Sequence, residues 1–430
     1  MKLNKFCWAV PLLLAQFTPI GPHAGAAEVK RTPFTREESA APENSPYAAK
    51  MVSADNLIFP SAVCGTKPDA LDQVDEVVEK MNARLAERGL GFGNMLQHTI
   101  FVKNGAADPI EVLNRFHAAA TRVAPSLKTL RSVGTIIRLP SLPGPNTLIM
   151  LDMVAGAPLA NGQGSDGYAR IPFVFGPKEI VESVSGNKLI FTAGLEAMDF
   201  EHRSLVPTIG EQVPVIASKL DGALKREDVP LAQMLQHNLY VTKGTDPVFV
   251  MQKFREEIAK RDAQVKDNGP GAEAIMLVDG MAASGFLLEM DAVATALKPH
   301  YVDCVSTDLK FSMCQTASAG DLTYVSQMPG IGLANKMKTP PDLDGQIQLA
   351  VEATHDALQG SGLSLANLIK VRLLLKAGAG DPVQVRKKFY EVAARYAPAL
   401  KTAPPAETVL LLEGFASTDR LFELTAIAAK

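Results

Sequence analysis

Two histidines, His98 and His237, each close a Leu-Gln-His tripeptide at the start of an apolar run. Repeated imidazoles at one spacing suggest metal ligation, but a site needs three or four ligands converging. The matching place further on is Val371, and no His, Cys or carboxylate cluster lies near either histidine. They are therefore read as strand-borne residues in a polar interface, and no metal site is expected. Lys103, Lys243 and Lys376, on or next to the same runs, are read as solvated. The stretch Asn161–Gly167 is glycine-rich but leads to no Lys-Ser/Thr pair, so it reads as a linker rather than a phosphate loop. No Ser-His-Asp or Cys-His arrangement can be assigned.

These residues sit within a repeat. NMLQHTIFVKNGAADPIEVLNRFHAAA from Asn94, QMLQHNLYVTKGTDPVFVMQKFREEIA from Gln233 and NLIKVRLLLKAGAGDPVQVRKKFYEVA from Asn367 share one design. Each has an apolar strand, a glycine turn, an Asp-Pro pair and an apolar helical pattern. The pairs are Asp108-Pro109, Asp246-Pro247 and Asp381-Pro382. Asp accepts from free amides at a helix start, and Pro suits the first helical position. Phe116, Phe254 and Phe389 follow their prolines by about two helical turns, on one face. Flanking strands and a preceding amphipathic helix also recur, so each copy reads β-β-α-β-α-β-β. The copies are placed at residues 46–160, 172–298 and 305–430. Central strands reading IFV, LYV and LLL leave a second apolar sheet face uncovered in any single copy. Burying about 500 Å² of it is worth roughly 12 kcal/mol gross. Three copies closing on one another as a pseudo-trimer, sheets central and helices outside, would supply that cover.

The start of the chain, with Lys2 and Lys5, an apolar stretch from Phe6 to Phe17 and Ala24-Gly25-Ala26, has the pattern of a cleaved signal peptide over residues 1–26. A flexible leader is expected over 27–45, and a periplasmic or secreted location follows. Cys64, Cys304 and Cys314 remain in the mature chain; an odd number leaves at least one thiol unpaired or paired between chains, and Cys304 and Cys314 could bridge in an oxidising compartment. The net charge of -3, without a basic run, argues against a nucleic-acid face. No internal apolar run is long enough for a membrane span. A monomeric pseudo-trimer or a weak homo-oligomer is expected.

The pattern resembles the RidA/YjgF family, with its chorismate-mutase-like α+β fold, over about residues 46–430. The carriers are Leu130-Arg131-Ser132-Val133 with Ile137-Arg138-Leu139-Pro140, the closing strands LEMDAVA at Leu288 and FELTAIA at Phe422, and the segment around Tyr47. Members typically form homotrimers with sites between subunits and hydrolyse reactive enamines and imines to keto acids and ammonia. The resemblance implies that Arg131 grips a substrate carboxylate, that a closing-strand glutamate handles the attacking water, and that Tyr47 shapes the pocket. The small anionic or imino substrate is already electrophilic, so no cofactor is expected.

Residue by residue, the family's Arg position is read as Arg131, Glu273 and Glu407 in the three copies. Its Glu position is Met150, Glu289 and Glu423, and its Cys position Val133, Ile275 and Val409. No copy holds both Arg and Glu. Two readings stay open. In one, a single cleft keeps activity, with Arg131, Tyr47 and Val133 binding substrate and Glu289 or Glu423 supplied by a neighbouring copy. The resemblance implies Arg and Glu on adjoining strands, a geometry that one copy supplies more readily than two. In the other, catalysis is lost and the chain binds small molecules or proteins.

Overall fold

The computed structural model describes residues 29–33, 47–159, 166–172, 181–199, 204–307, 311–330 and 338–430. The expected signal peptide and nearly all of the leader lie outside them, as do residues 161–165 of the linker.

Each copy begins with a strand and a tight hairpin. In the first unit these are β1 (Lys30–Pro33), β2 (Ala49–Ala54), β3 (Leu57–Pro60) and the two-residue β4 (Val63–Cys64). Helix α1 (Ala70–Ala86), strand β5 (Met95–Lys103), helix α2 (Pro109–Val123), β6 (Val133–Leu139) and β7 (Ile149–Gly156) complete it. The second unit has β8 (Ala169–Pro172), β9 (Val181–Gly186), β10 (Leu189–Thr192) and β11 (Leu195–Glu196). A small separate hairpin follows, β12 (Met198–Asp199) with β13 (Ser204–Leu205). Then come α3 (Ile209–Arg226), β14 (Met234–Thr242), α4 (Pro247–Arg261), the short α5 (Gln264–Asn268), β15 (Ala272–Val278) and β16 (Leu288–Thr295). The third unit has β17 (His300–Thr307), β18 (Phe311–Ala319), β19 (Leu322–Pro329), α6 (Leu343–Gly360), β20 (Leu368–Lys376), α7 (Pro382–Tyr396), β21 (Ala406–Leu412) and β22 (Phe422–Ala429).

The strand order is the same three times: β2-β3-β7-β5-β6, β9-β10-β16-β14-β15 and β18-β19-β22-β20-β21. In each unit only the last pair is parallel, because a helix carries the chain across between them. The helix starts follow from local chemistry. Asp108 accepts from the amides of Ile110 (2.8 Å) and Glu111 (3.2 Å), Asp246 from Val248 (2.9 Å) and Asp381 from Val383 (2.9 Å). Phe116, Phe254 and Phe389 are all buried beneath their helices. One further device recurs, a buried glutamine in the first helix of each unit. Gln73 accepts from Leu148 (2.8 Å) and Ile149 (3.0 Å), Gln212 from Leu287 (2.9 Å), and Gln346 from Leu421 (2.7 Å). Each amide thereby ties its helix to the start of the closing strand.

The three units close into a ring. Single backbone bridges join each pair: Arg138 to Gly280, Leu277 to Gly414, and Ser141 to Leu411. β6 packs on β9 and β10, β15 on β18 and β19, and β21 on β2 and β3. Each unit therefore leans its parallel edge strand on the next unit's hairpin, and the third returns to the first. This is the expected closed α+β pseudo-trimer of three like units, with helices outside. The inner sheet face is less apolar than the strands suggested. Two apolar clusters drawn from all three units, one around Phe59, Phe191 and Tyr324 and one around Phe101, Tyr240 and Leu374, enclose a polar layer. There Lys370 reaches Asp152 (2.7 Å) across the axis, and Arg372 Nε lies 3.1 Å from the other Asp152 oxygen. Asn238 and Tyr240 donate to Asp291 alongside.

Among the described residues no helix is long and apolar enough to cross a membrane, and no His/Cys/Asp/Glu group could hold a metal ion. Cys64 is buried and outside any disulfide, and Cys314 is disulfide-bonded, with Cys304 opposite it in the ladder.

Candidate active site between the first and second units

Between the first and second units lies a cleft of about 200 Å³. His98 of β5 and Gly134 and Thr135 of β6 form its floor, and Phe116 and His117 of α2 one wall. Arg131 and Ser132 stand where the chain enters β6. The second unit supplies Ala193, Gly194, Glu196 and Glu289 opposite them. A backbone bond from Gly194 to the Gly134 carbonyl (3.0 Å) sews the two sides together.

Two glycines make the space. A Cβ on Gly134 would run into the His98 ring, and one on Gly194 into the Glu289 carboxyl. Glu289 therefore lies directly over the Gly194 backbone. The His98 ring stacks on Phe116 at 4.7 Å, and its Nδ1 is 3.0 Å from Ser132 Oγ. Burial, helped by the neighbouring His117, drops the His98 pKa to about 3, so its ring is neutral near pH 7. Burial and the Arg131 charge also lower His117. Glu289 is pushed far the other way, by burial and by the charges of Glu196 and Asp291. Near neutral pH the cleft thus combines a guanidinium, two neutral imidazoles and a carboxyl pushed towards its protonated form.

The other two junctions are filled from within. In the pairing register Gly134 stands opposite His98, Glu273 opposite His237, and Glu407 opposite Val371. Glu273 and Glu407 are thus the counterparts of Gly134. The positions equivalent to Arg131 are Pro270 and Pro404, and those equivalent to Val133 are Ala272 and Ala406. The expected alignment with Arg131 was three residues out, because the lead-in to the edge strand differs among units while the strands carry no mark of their register. The acid does not repel a substrate from an Arg site but occupies the floor itself. Glu273 takes a two-pronged pair from Arg255 (2.7 and 3.1 Å) and a bond from His237 Nε2 (2.9 Å). Burial would raise its pKa, but Arg255 and His237 hold it at about 2. Glu407 pairs with Arg386 (2.8 Å). With that cation and the Tyr390 hydroxyl as its main relief, burial prevails and its pKa rises.

The site residues expected from sequence divide accordingly. Arg131 and Glu289 line the same cleft although they come from different units. Each unit's hairpin packs on the parallel edge strand of the unit before it, which brings Glu289 beside the first unit's β6. Glu423 lies at the junction of the second and third units. There it bonds Gln327, which holds the Ile275 amide (2.7 Å), and Arg420 (2.8 Å). Tyr47 is at the remaining junction, stacked on Tyr390 at 5.9 Å, and so does not accompany Arg131. Val133 is fully buried in the inter-unit apolar cluster, its side chain turned away from the cleft by strand alternation. Sequence reading missed His117, Glu196 and Gly134. His117 could have been found, since it directly follows the repeated Phe116.

No family model matches the sequence, and no curated protein matches it. Among solved structures, 58% of the chain aligns with 77% of a chorismatase at 15% identity and a TM-score of 0.42. A member of the YjgF/YER057c/UK114 family from Mycobacterium tuberculosis aligns over all of its own length and 31% of this chain, at 17% identity and a TM-score of 0.25. The YjgF gene product of E. coli aligns over 87% of its length and 27% of this chain, at 17% identity and a TM-score of 0.24.

Proposed function

We propose that the cleft between the first and second units binds a small carboxylate-bearing imine or enamine and hydrolyses it to the keto acid and ammonia. The observation that carries this reading is the meeting of Arg131 and Glu289, whose carboxyl burial pushes towards its protonated form, across one cleft. The Arg131 guanidinium pairs with the substrate carboxylate through two parallel bonds. The Glu289 carboxyl gives its proton to the imine nitrogen, which makes the carbon more electrophilic. Water adds to that carbon, and the carbinolamine collapses with loss of ammonia, so that C=NH and H₂O become C=O and NH₃. No cofactor is called for by this chemistry. On its signal pattern we place the protein outside the cytoplasm.

The test is ammonia release from 2-imino acids freshly generated by an amino-acid oxidase. The mature protein should accelerate it over buffer, and Arg131→Ala should abolish the acceleration. No acceleration across several imino acids would refute catalysis. A second reading, ligand binding without turnover, draws support from the ion pairs that fill the other two junctions. It predicts stabilisation by small carboxylates that Arg131→Ala weakens, with no ammonia released.

A further inference from the structure

The Glu289 position can be compared across the three units together with the residue facing it. In the first unit the pair is Cys64 and Met150, in the third Pro329 and Glu423, and in the second Glu196 and Glu289. Two carboxyls directly opposite in an antiparallel pair repel, and burial worsens the repulsion. This arrangement occurs only in the unit whose closing strand faces Arg131. Both carboxyls line that cleft. Glu289 is 4% exposed, neither carboxyl has an ion-pair partner among the described residues, and the Glu196 carboxyl accepts from its own backbone amide. Elsewhere in the ring buried carboxylates are matched: Asp152 by Lys370 and Arg372, Glu273 by Arg255, and Glu423 by Arg420.

We infer that Glu196 and Glu289 act as one acid–base pair that holds a single proton between them, with Glu196 as a second catalytic carboxyl of the cleft. This rests on the hydrolytic reading above and specifies its proton path. The protonated carboxyl donates to the imine nitrogen while the ionised one takes a proton from the attacking water. The C–O bond forms, and the pair again holds one proton, now on the other oxygen atoms. In collapse that proton passes to the amine, the C–N bond breaks, and the ionised carboxyl takes the hydroxyl proton as C=O forms. Ammonia leaves and the pair is restored.

The charged and titratable groups facing the pair are Arg131, His98 and His117 from the first unit, and Asp291, Tyr240 and Lys219 from the second. Lys219 bonds the Glu196 carbonyl (2.7 Å) and moderates the rise that burial imposes on the Glu196 carboxyl. The two histidines are neutral, so Lys219 is the cation that bears on the pair, through Glu196, while Arg131 lines the same cleft.

The experiment has two arms. Carboxyl titration of the glutamates by carbon-13 NMR, without substrate, compares wild type with Glu196→Gln. Removing the facing charge should lower the Glu289 midpoint by at least one pH unit. An unchanged midpoint would overturn the pair whether or not the protein turns out to be an enzyme. In the kinetic arm, Glu196→Gln should lower kcat/KM at least tenfold and move the alkaline limb to lower pH. Glu196→Asp, which keeps a carboxyl, should restore much of both. A uniform loss with an unmoved limb, unrelieved by Asp, would reduce Glu196 to a structural role. Wild type without turnover, but with the midpoint shift intact, would refute the hydrolytic reading and leave the proton-sharing pair standing.

Discussion

Lys370 Nζ lies 2.7 Å from Asp152 Oδ1 and 2.5 Å from the Pro60 carbonyl, so a third-unit side chain is held by two first-unit oxygens on the ring axis. Both charged groups are at most 5% exposed, and Arg372 adds a second cation to the same carboxylate. Burial would raise the Asp152 pKa, but Lys370 and Arg372 outweigh it and leave it below the ordinary value.

Asp152→Ala strands those two cations. Removing one partner of a buried charge network costs about 3–5 kcal/mol, and urea unfolding should show a loss of that size. A loss under about 0.5 kcal/mol would mean that the axis tolerates unpaired cations and that this link does not hold the ring together.

Acid stability should follow Glu273 and His98. Both have folded pKa values below the ordinary ones, about 2 against 4.5 and about 3 against 6.5. Within those windows the unfolded chain binds more protons than the folded one, so stability falls as pH falls. The His98 contribution is complete above pH 6.5 and fades toward 3, and that of Glu273 is complete above 4.5 and fades toward 2. Glu273→Gln should be less stable at pH 7 by about 3 kcal/mol, since Arg255 loses its counter-charge. Its melting temperature should depend less on pH between 4.5 and 2 than that of wild type. Parallel curves for the two proteins would contradict the assignment.

Gln346 offers a test of the repeated glutamine tie. Its Oε1 accepts from Leu421 (2.7 Å) and Phe422 (3.3 Å), and its Nε2 donates to Pro340 (2.8 Å) and Asp419 (3.0 Å). Leucine keeps the volume but leaves two amides and two carbonyls without partners. Gln346→Leu should cost about 2 kcal/mol, with a matching effect for Gln212→Leu, measured by denaturant unfolding. A neutral outcome would mean that water replaces the side chain.

What could be read from the sequence was set by how local its cause is. The Asp-Pro helix starts and the buried Phe116, Phe254 and Phe389 are fixed by contacts within a few residues, and they stand where expected. The register of Glu273 was not legible, because runs such as AEAIMLV fit their neighbour equally well before the ladder forms. The polar layer was hidden for a related reason. Gln97, Asn238 and Arg372 alternate with apolar neighbours, and only the strand pleat shows that they share the inner face. Glu196 occupies a two-residue strand with no periodicity, and its meaning comes wholly from Glu289 across the pair.

Gly134 and Glu273 are equivalent positions with opposite consequences, and exchanging them tests which junction takes a ligand. In the second unit Glu273 is neutralised by Arg255 and bonded by His237. In the first, the residues at those places are His117 and His98, neither charged near pH 7. Gly134→Glu should therefore displace the His98 ring, put an uncompensated carboxylate in the cleft and lower the melting temperature. The stabilisation that small carboxylates give wild type should weaken at least tenfold in concentration dependence. Adding His117→Arg rebuilds the ion pair of the second unit. The double variant should regain most of the lost thermal stability yet bind no better, because its cleft is now filled from within. Wild-type binding by Gly134→Glu, checked by ligand-dependent melting, would place the ligand elsewhere in the ring.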